Sequence, residues 1–307
     1  MLFLGDFIYV DVPIRVGKTA SHYRSEYRRV YASPSWSESP ALKTLPWIHT
    51  LDDHEIENDW AQGNTTDPFP AASDAFWHYH VSVNPPIPKD TTPDNTTYFE
   101  FTEGPASFFM ADTRRYRTHP EPYPNATIMG QRQLQDLLLF IGRPEPEHVK
   151  WKIIAFSVPF TQNWRVGTKD TWGGFLIERE IVLKAMHKAE AELGVRIIIL
   201  SGDRHEFGSV RYPSVGATAN ASGPHEFSVG PLSQFYLPSP TFKQIDNDIV
   251  LAYYPFGNSK LGSIDIVPAR GGEPKVKSIL KYTLFIDGEV AWEYTLSSPS
   301  PEYVSSR

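Results

Sequence analysis

From residue 175 to 203 the chain runs through a charged helical stretch, a glycine and an aliphatic run, and few folds accept that order. Apolar side chains recur at Ile177, Ile181, Met186 and Ala189 among charged neighbours, which predicts a helix over 175–193 with that face turned inward. Gly194 suits the residue that stops it. The aliphatic run over 195–200 predicts a strand covered on both faces, and Ser201-Gly202-Asp203 a sharp turn after it. A helix leading into a doubly covered strand implies an α/β architecture with helices laid over a sheet.

The rest of the chain alternates in the same way. A helix rich in Tyr and Arg is expected over 21–31, strands over 44–51, 106–111 and 151–158, and a helix over 131–139. Residues 63–97 are rich in Pro, Asn and Thr and read as a loop-rich insertion around a short helix near Phe76. Near the end, Asp287-Gly288 between two apolar stretches predicts a C-terminal β-hairpin over 275–296. No internal repeat interrupts this pattern, so a single domain over 1–307 is expected. Phe3 and Leu4 lead at once into Gly5-Asp6, as if from the middle of a fold, and an N-terminal portion is expected to be missing.

Composition excludes several classes. The formal charge of −7 argues against a nucleic-acid backbone as a stable partner. The absence of cysteine removes disulfides, thiolate metal sites and a cysteine nucleophile. No run approaches the ~18 apolar residues of a membrane span, and the opening is too short for a secretory leader. Asn64, Asn95, Asn125 and Asn220 each begin a glycosylation acceptor triplet. Among nine asparagines chance gives about one such triplet. The excess suggests a secretory lumen or the cell exterior, against polar loops as the plain alternative.

Three segments share one design, an aliphatic run, a tight turn, then acids or imidazoles: Leu4-Gly5-Asp6, Thr50-Leu51-Asp52-Asp53-His54-Glu55, and Leu200-Ser201-Gly202-Asp203-Arg204-His205-Glu206. Sites in open α/β sheets form beyond the carboxyl ends of strands. Carboxylates converging there repel one another unless a cation intervenes, and oxygen and imidazole donors suit hard cations, iron or zinc. Each segment has a simpler reading. Gly5-Asp6 and Gly202-Asp203 are also ordinary turns, and Asp52 with Glu55 fits a helix N-cap and capping box.

With Asn58 and Trp60, and with Asp112-Thr113-Arg114-Arg115-Tyr116-Arg117, these segments resemble, in order, the PhoD-like alkaline phosphatases of the metallophosphatase superfamily. The resemblance runs from Leu2 to about Pro231, where Phe227-Ser228-Val229-Gly230-Pro231-Leu232 looks like a further family element. It implies an αββα sandwich of two mixed sheets flanked by helices. It also implies hydrolysis of small-molecule phosphate esters at a two-metal centre of iron and calcium. By position, Asp6 matches the carboxylate that bridges two metals and Tyr9 the tyrosinate on a ferric ion. Asp53, Asp203 and His205 match further ligands, and His54 the histidine that contacts phosphate.

Arg204 is a candidate phosphate clamp through its planar fork, or a solvated turn residue. The superfamily's first ligand block lies upstream of Gly5-Asp6 and has no counterpart here, which opens a second expectation: a non-catalytic fragment of the fold that cannot hold both metals. Asn163 stands where another histidine block would fall, as a weak ligand or a loop cap. The arginine-flanked Asp112 suggests an ion-pair network between layers, or direct substrate contact. His78-x-His80 has little claim to a second metal site. His54-Glu55 and His205-Glu206 lack the second histidine that a His-Glu-x-x-His protease needs.

Overall fold

The computed structural model describes residues 1–14, 16–87, 95–214, 222–232, 239–245, 247–268 and 277–299. In chain order the elements are β1 (Leu2–Phe3), α1 (Ala20–Tyr31), α2 (Pro34–Glu38), α3 (Pro40–Thr44), β2 (Ile48–His49) and α4 (Phe69–Tyr79). Next come β3 (Phe99–Glu103), β4 (Ala106–Met110), α5 (Gly130–Gly142), β5 (Trp151–Ala155), α6 (Leu176–Glu192) and β6 (Arg196–Ser201). Last are β7 (Phe207–Arg211), β8 (His225–Ser228), β9 (Ile249–Tyr254), β10 (Lys260–Val267), β11 (Ile279–Ile286) and β12 (Glu289–Ser297).

Seven strands form a mixed sheet in the order β3-β4-β5-β6-β8-β7-β9, with β4, β5, β6 and β8 parallel. Every residue of β5 is buried, as the doubly covered reading of such strands requires. One face packs on α5 and α6 through Leu137, Phe140, Val182, Met186, Ile154 and Ile199. The other packs on the antiparallel sheet β10-β11-β12 through Trp151, Ile198, Phe227, Leu280, Tyr282 and Leu284, with the Phe227 and Tyr282 rings stacked at 4.0 Å. Helices on one face of the mixed sheet and a second sheet on the other make the α/β sandwich expected from the sequence, except that the second sheet is antiparallel and not mixed. A third core joins α1 and α4 to the segments after β1 and β2 through Tyr23, Tyr27, Phe76, Ile8 and Leu51.

Two local expectations change. The strand expected over 44–51 shrinks to Ile48–His49, because Ser39 caps a helical turn begun by Pro40 and Pro46 has no N–H for a ladder. The buried face of α6 is rotated from the one expected. Ile177 and Ile181 are 70% and 44% exposed, while Arg179 and Val182 are buried beside Met186 and Ala189. Arg179 can be buried because its Nε–H donates to the Phe160 carbonyl at 2.7 Å and its fork reaches Asp248. Residues 275–276 of the expected hairpin, 88–94 of the expected insertion and the acceptor Asn220 lie outside the described residues.

Candidate metal centre

The chain turns after β1, β2 and β6 press against one another. Gly5 has φ +99°, and a Cβ there would sit 2.2 Å from the Asp52 Cβ. Gly202 lies under the Leu4 and Ser157 carbonyls, which a Cβ would meet at 3.3 and 3.2 Å. The residues that follow, Asp6 and Asp203, take left-handed φ values of +57° and +67°, an uncommon conformation, and each carboxylate lies within ligand range of Asp53.

Glu55 ties two of these turns together. Its buried carboxylate accepts the backbone N–H of Asp52 at 2.8 Å, of Asp6 at 3.1 Å, of Ile8 at 3.4 Å and of Phe7. The Asp52–Glu55 half of a capping box is therefore present, but its role is to lock the β1 loop onto the β2 loop. No helix follows it.

Asp53 is the hub. Ligand atoms of Asp6, Asp53 and His54 lie within 4.8 Å of one another, as do those of Asp52, Asp53 and Asp203, and those of Asp53, Asp59 and Asp170. Arg114, fully buried, is the counter-charge: its Nε–H donates to Asp52 at 2.5 Å and its fork to Asp170 at 2.7 and 2.8 Å. The same fork passes 3.7 Å from Asp53 and 3.6 Å from Asp203. Arg117 adds a bond to Asp170 at 2.7 Å, and Ser157 one to Asp52 at 2.7 Å.

This is too little positive charge for so many acids. Burial, then the neighbouring Asp53 and Asp52, pushes Asp6 well above the usual carboxylate range; burial, then Asp52, does the same to Asp203. Burial raises Asp52 to about 6 even against Arg114. Asp6 Oδ1, Asp52 Oδ2, Asp53 Oδ1 and Asp203 Oδ2 are buried and meet no hydrogen-bond donor among the described residues. Buried carboxylate oxygens left without donors are costly. A hard cation seated among them supplies the missing partner, and an all-oxygen set with one imidazole nearby is suited to it. The residues present fit a metal.

The remaining sequence candidates fall around this hub. The Tyr9 hydroxyl donates to Asp6 at 3.1 Å and its ring packs on His54 at 4.3 Å. His54 Nδ1 pairs with Asp11 at 2.8 Å. Burial pulls the His54 imidazolium down, but the Asp11 bond and the charges of Asp53, Asp11 and Asp52 push it up to about 9. His205 joins none of the three ligand groups among the described residues; with Asp6, Tyr9, Asp203 and Arg204 it lines a cleft of about 1620 Å³. Arg204 donates to the Val166 carbonyl at 2.7 Å and lies over the Trp164 ring.

Asn163 caps its loop, accepting from the Ile245 N–H at 2.9 Å. Asp112 caps the turn after β4 by accepting the Arg114 and Arg115 N–H groups, so the ion-pair network expected around it is built on Asp170 and Asp52 instead. Sequence reasoning missed Asp170, Asp59, Asp11 and Ser157. Only Ser157, at the end of a recognised strand, carried a positional signal.

A sandwich whose strand ends gather unpartnered buried carboxylates around one arginine has the organisation of a metallophosphatase-type protein. A family model described as PhoD-like phosphatase matches residues 1–253, and the chain belongs to that family. It is 28% identical over 243 residues to alkaline phosphatase D of Bacillus subtilis (strain 168), which covers 66% of this chain and 40% of that protein. Its fold is similar to the solved structure of PhoD, with a TM-score of 0.67 at 18% identity over 97% of this chain and 64% of the other. It is also similar to a purple acid phosphatase from yellow lupin (Lupinus luteus) seeds, with a TM-score of 0.53 at 11% identity over 100% and 47% of the two chains. The chain thus spans less than two thirds of the length of these relatives.

Proposed function

We propose that this chain is the catalytic region of a metal-dependent phosphoester hydrolase acting on small phosphate esters. The observation that carries this reading is the four buried carboxylate oxygens of Asp6, Asp52, Asp53 and Asp203 that meet no donor among the described residues, on side chains grouped around Asp53. Asp6, Tyr9, Asp53, Asp203 and His205 hold metal in this reading, in a two-metal centre. Iron and calcium suit its oxygen-rich donors, with the Tyr9 phenol as the iron-type ligand. When bound, such ions polarise the phosphoryl oxygens and activate water. His54, held charged by Asp11, donates a hydrogen bond to phosphate or a proton to the leaving oxygen. Arg204, at the rim of the same cleft, offers its fork to the substrate. The exposed acceptor residues Asn64, Asn95 and Asn125 support a secreted or lumenal glycoprotein. No helix among the described residues is long and apolar enough to cross a membrane.

One observation favours a second reading, a non-catalytic form that holds one ion at most: all three ligand groups share Asp53, and His205 stands outside them. Hydrolysis of an aryl phosphate, with and without chelator, tests both readings together with elemental analysis. Loss of turnover on chelation and in Asp53→Asn, with two metals per chain, is the expected result. Turnover indifferent to both overturns the hydrolase reading, and one bound metal without turnover selects the alternative.

A further inference from the structure

A second chamber borders the turn that carries Arg114. It has a volume of about 430 Å³ and shares no lining residue with the large cleft. Arg115, Arg117 and Arg132 line it, with Tyr98 and Tyr116 as walls and the first turn of α5 at one end. Among the described residues no acid lines it, in a chain of net charge −7.

Two of the arginines already have carboxylates. Arg117 is bound to Asp170 and Arg132 to Asp136, the latter at 3.0 Å. Arg115 has none among the described residues: its guanidinium lies over the Phe69 and Tyr116 rings, 5.7 Å from each centroid. The Nε–H groups of Arg115 and of the fully buried Arg117 are themselves buried and meet no acceptor among the described residues. Buried guanidinium donors without acceptors are as costly as the orphaned carboxylates of the metal centre, with the sign reversed. Arg115 therefore brings to the chamber a guanidinium with no carboxylate partner among the described residues.

We propose that this chamber is an oxyanion subsite, separate from the metal centre, which takes the phosphate group of a small organic molecule against Arg115. The planar fork matches phosphate oxygens in pairs. A chamber of this size accommodates a small molecule and not a polymer. The tyrosine walls suit an organic body attached to the phosphate.

Calorimetric titration of inorganic phosphate into the full chain with its metals tests the proposal. One equivalent present in the wild type is expected to vanish in Arg115→Gln, with an unchanged circular dichroism spectrum and aryl phosphate turnover within about twofold. Arg115→Lys keeps the charge without the fork, and is expected to bind that equivalent at least about tenfold more weakly. Equal stoichiometry in wild type and Arg115→Gln overturns the subsite, as does undiminished affinity in Arg115→Lys should the Gln variant misfold. Phenylphosphonate is expected to displace phosphate from this equivalent; failure to do so overturns the organic-phosphate assignment. The equivalent persists in Asp53→Asn, so it stands or falls apart from the hydrolase reading.

Discussion

Arg114 holds Asp170 through two parallel hydrogen bonds of 2.7 and 2.8 Å while its Nε–H reaches Asp52 at 2.5 Å. One buried side chain thereby connects the loop after β2 to the segment before α6 and neutralises part of an acid cluster. Replacing Arg114 with Met takes its guanidinium from two buried carboxylates, leaving Asp170 with Arg117 and Asp52 with Ser157 alone. A loss of about 3–5 kcal/mol in urea unfolding is expected, the range for breaking a buried pair from one side. An effect below about 1 kcal/mol would show that the network is not holding these layers.

Asp11 controls His54. The folded imidazole titrates at about 9 against an ordinary 6.5, so its contribution to stability is complete below 6.5 and is lost as pH rises through about 9. Asp11→Asn removes the hydrogen-bonded charge and is expected to lower the His54 value by about one unit or more, read from its ring protons by NMR. The alkaline limb of any phosphatase pH profile should move the same way. An unmoved titration refutes the pairing.

Gly5 is required by contact as much as by conformation. A methyl group there strains a left-handed residue and strikes Asp52. Gly5→Ala is expected to cost about 3 kcal/mol or more. It should also lower metal content, because Asp6 is displaced with the turn. Normal metal content in a folded Gly5→Ala protein contradicts this geometry.

His49 and His80 stack at 3.6 Å, nearly parallel, with His49 Nδ1, His49 Nε2 and His80 Nε2 unpartnered among the described residues. Burial, then the N-terminal amine, pulls His49 down to about 4. Burial, then His49, pulls His80 well below its ordinary value. For such groups the unfolded chain binds more protons, so stability is lost as pH falls from 6.5 towards 4. Between pH 7 and pH 5, His80→Phe should lose about 2 kcal/mol less than the wild type. Equal losses exclude the stack as an acid-sensitive element.

The sequence by itself determined the α6–Gly194–β6 unit and the three strand-end turns, because helical periodicity, a stop residue and a buried apolar run are local properties. It also carried the family, through short motifs in order. Only the tertiary structure decided which way α6 faces. Burial of Arg179 depended on Phe160 and Asp248, which periodicity cannot see.

The same holds for the candidate metal centre. Asp6 and Asp203 could be singled out as residues after glycine, but their convergence on Asp53 arises from turns pressed together across the fold. Asp170 had no local mark at all, and meets Arg114 from 56 residues away. Charge repulsion among buried acids depends on distances in space, and a chain pattern specifies only distances along the backbone.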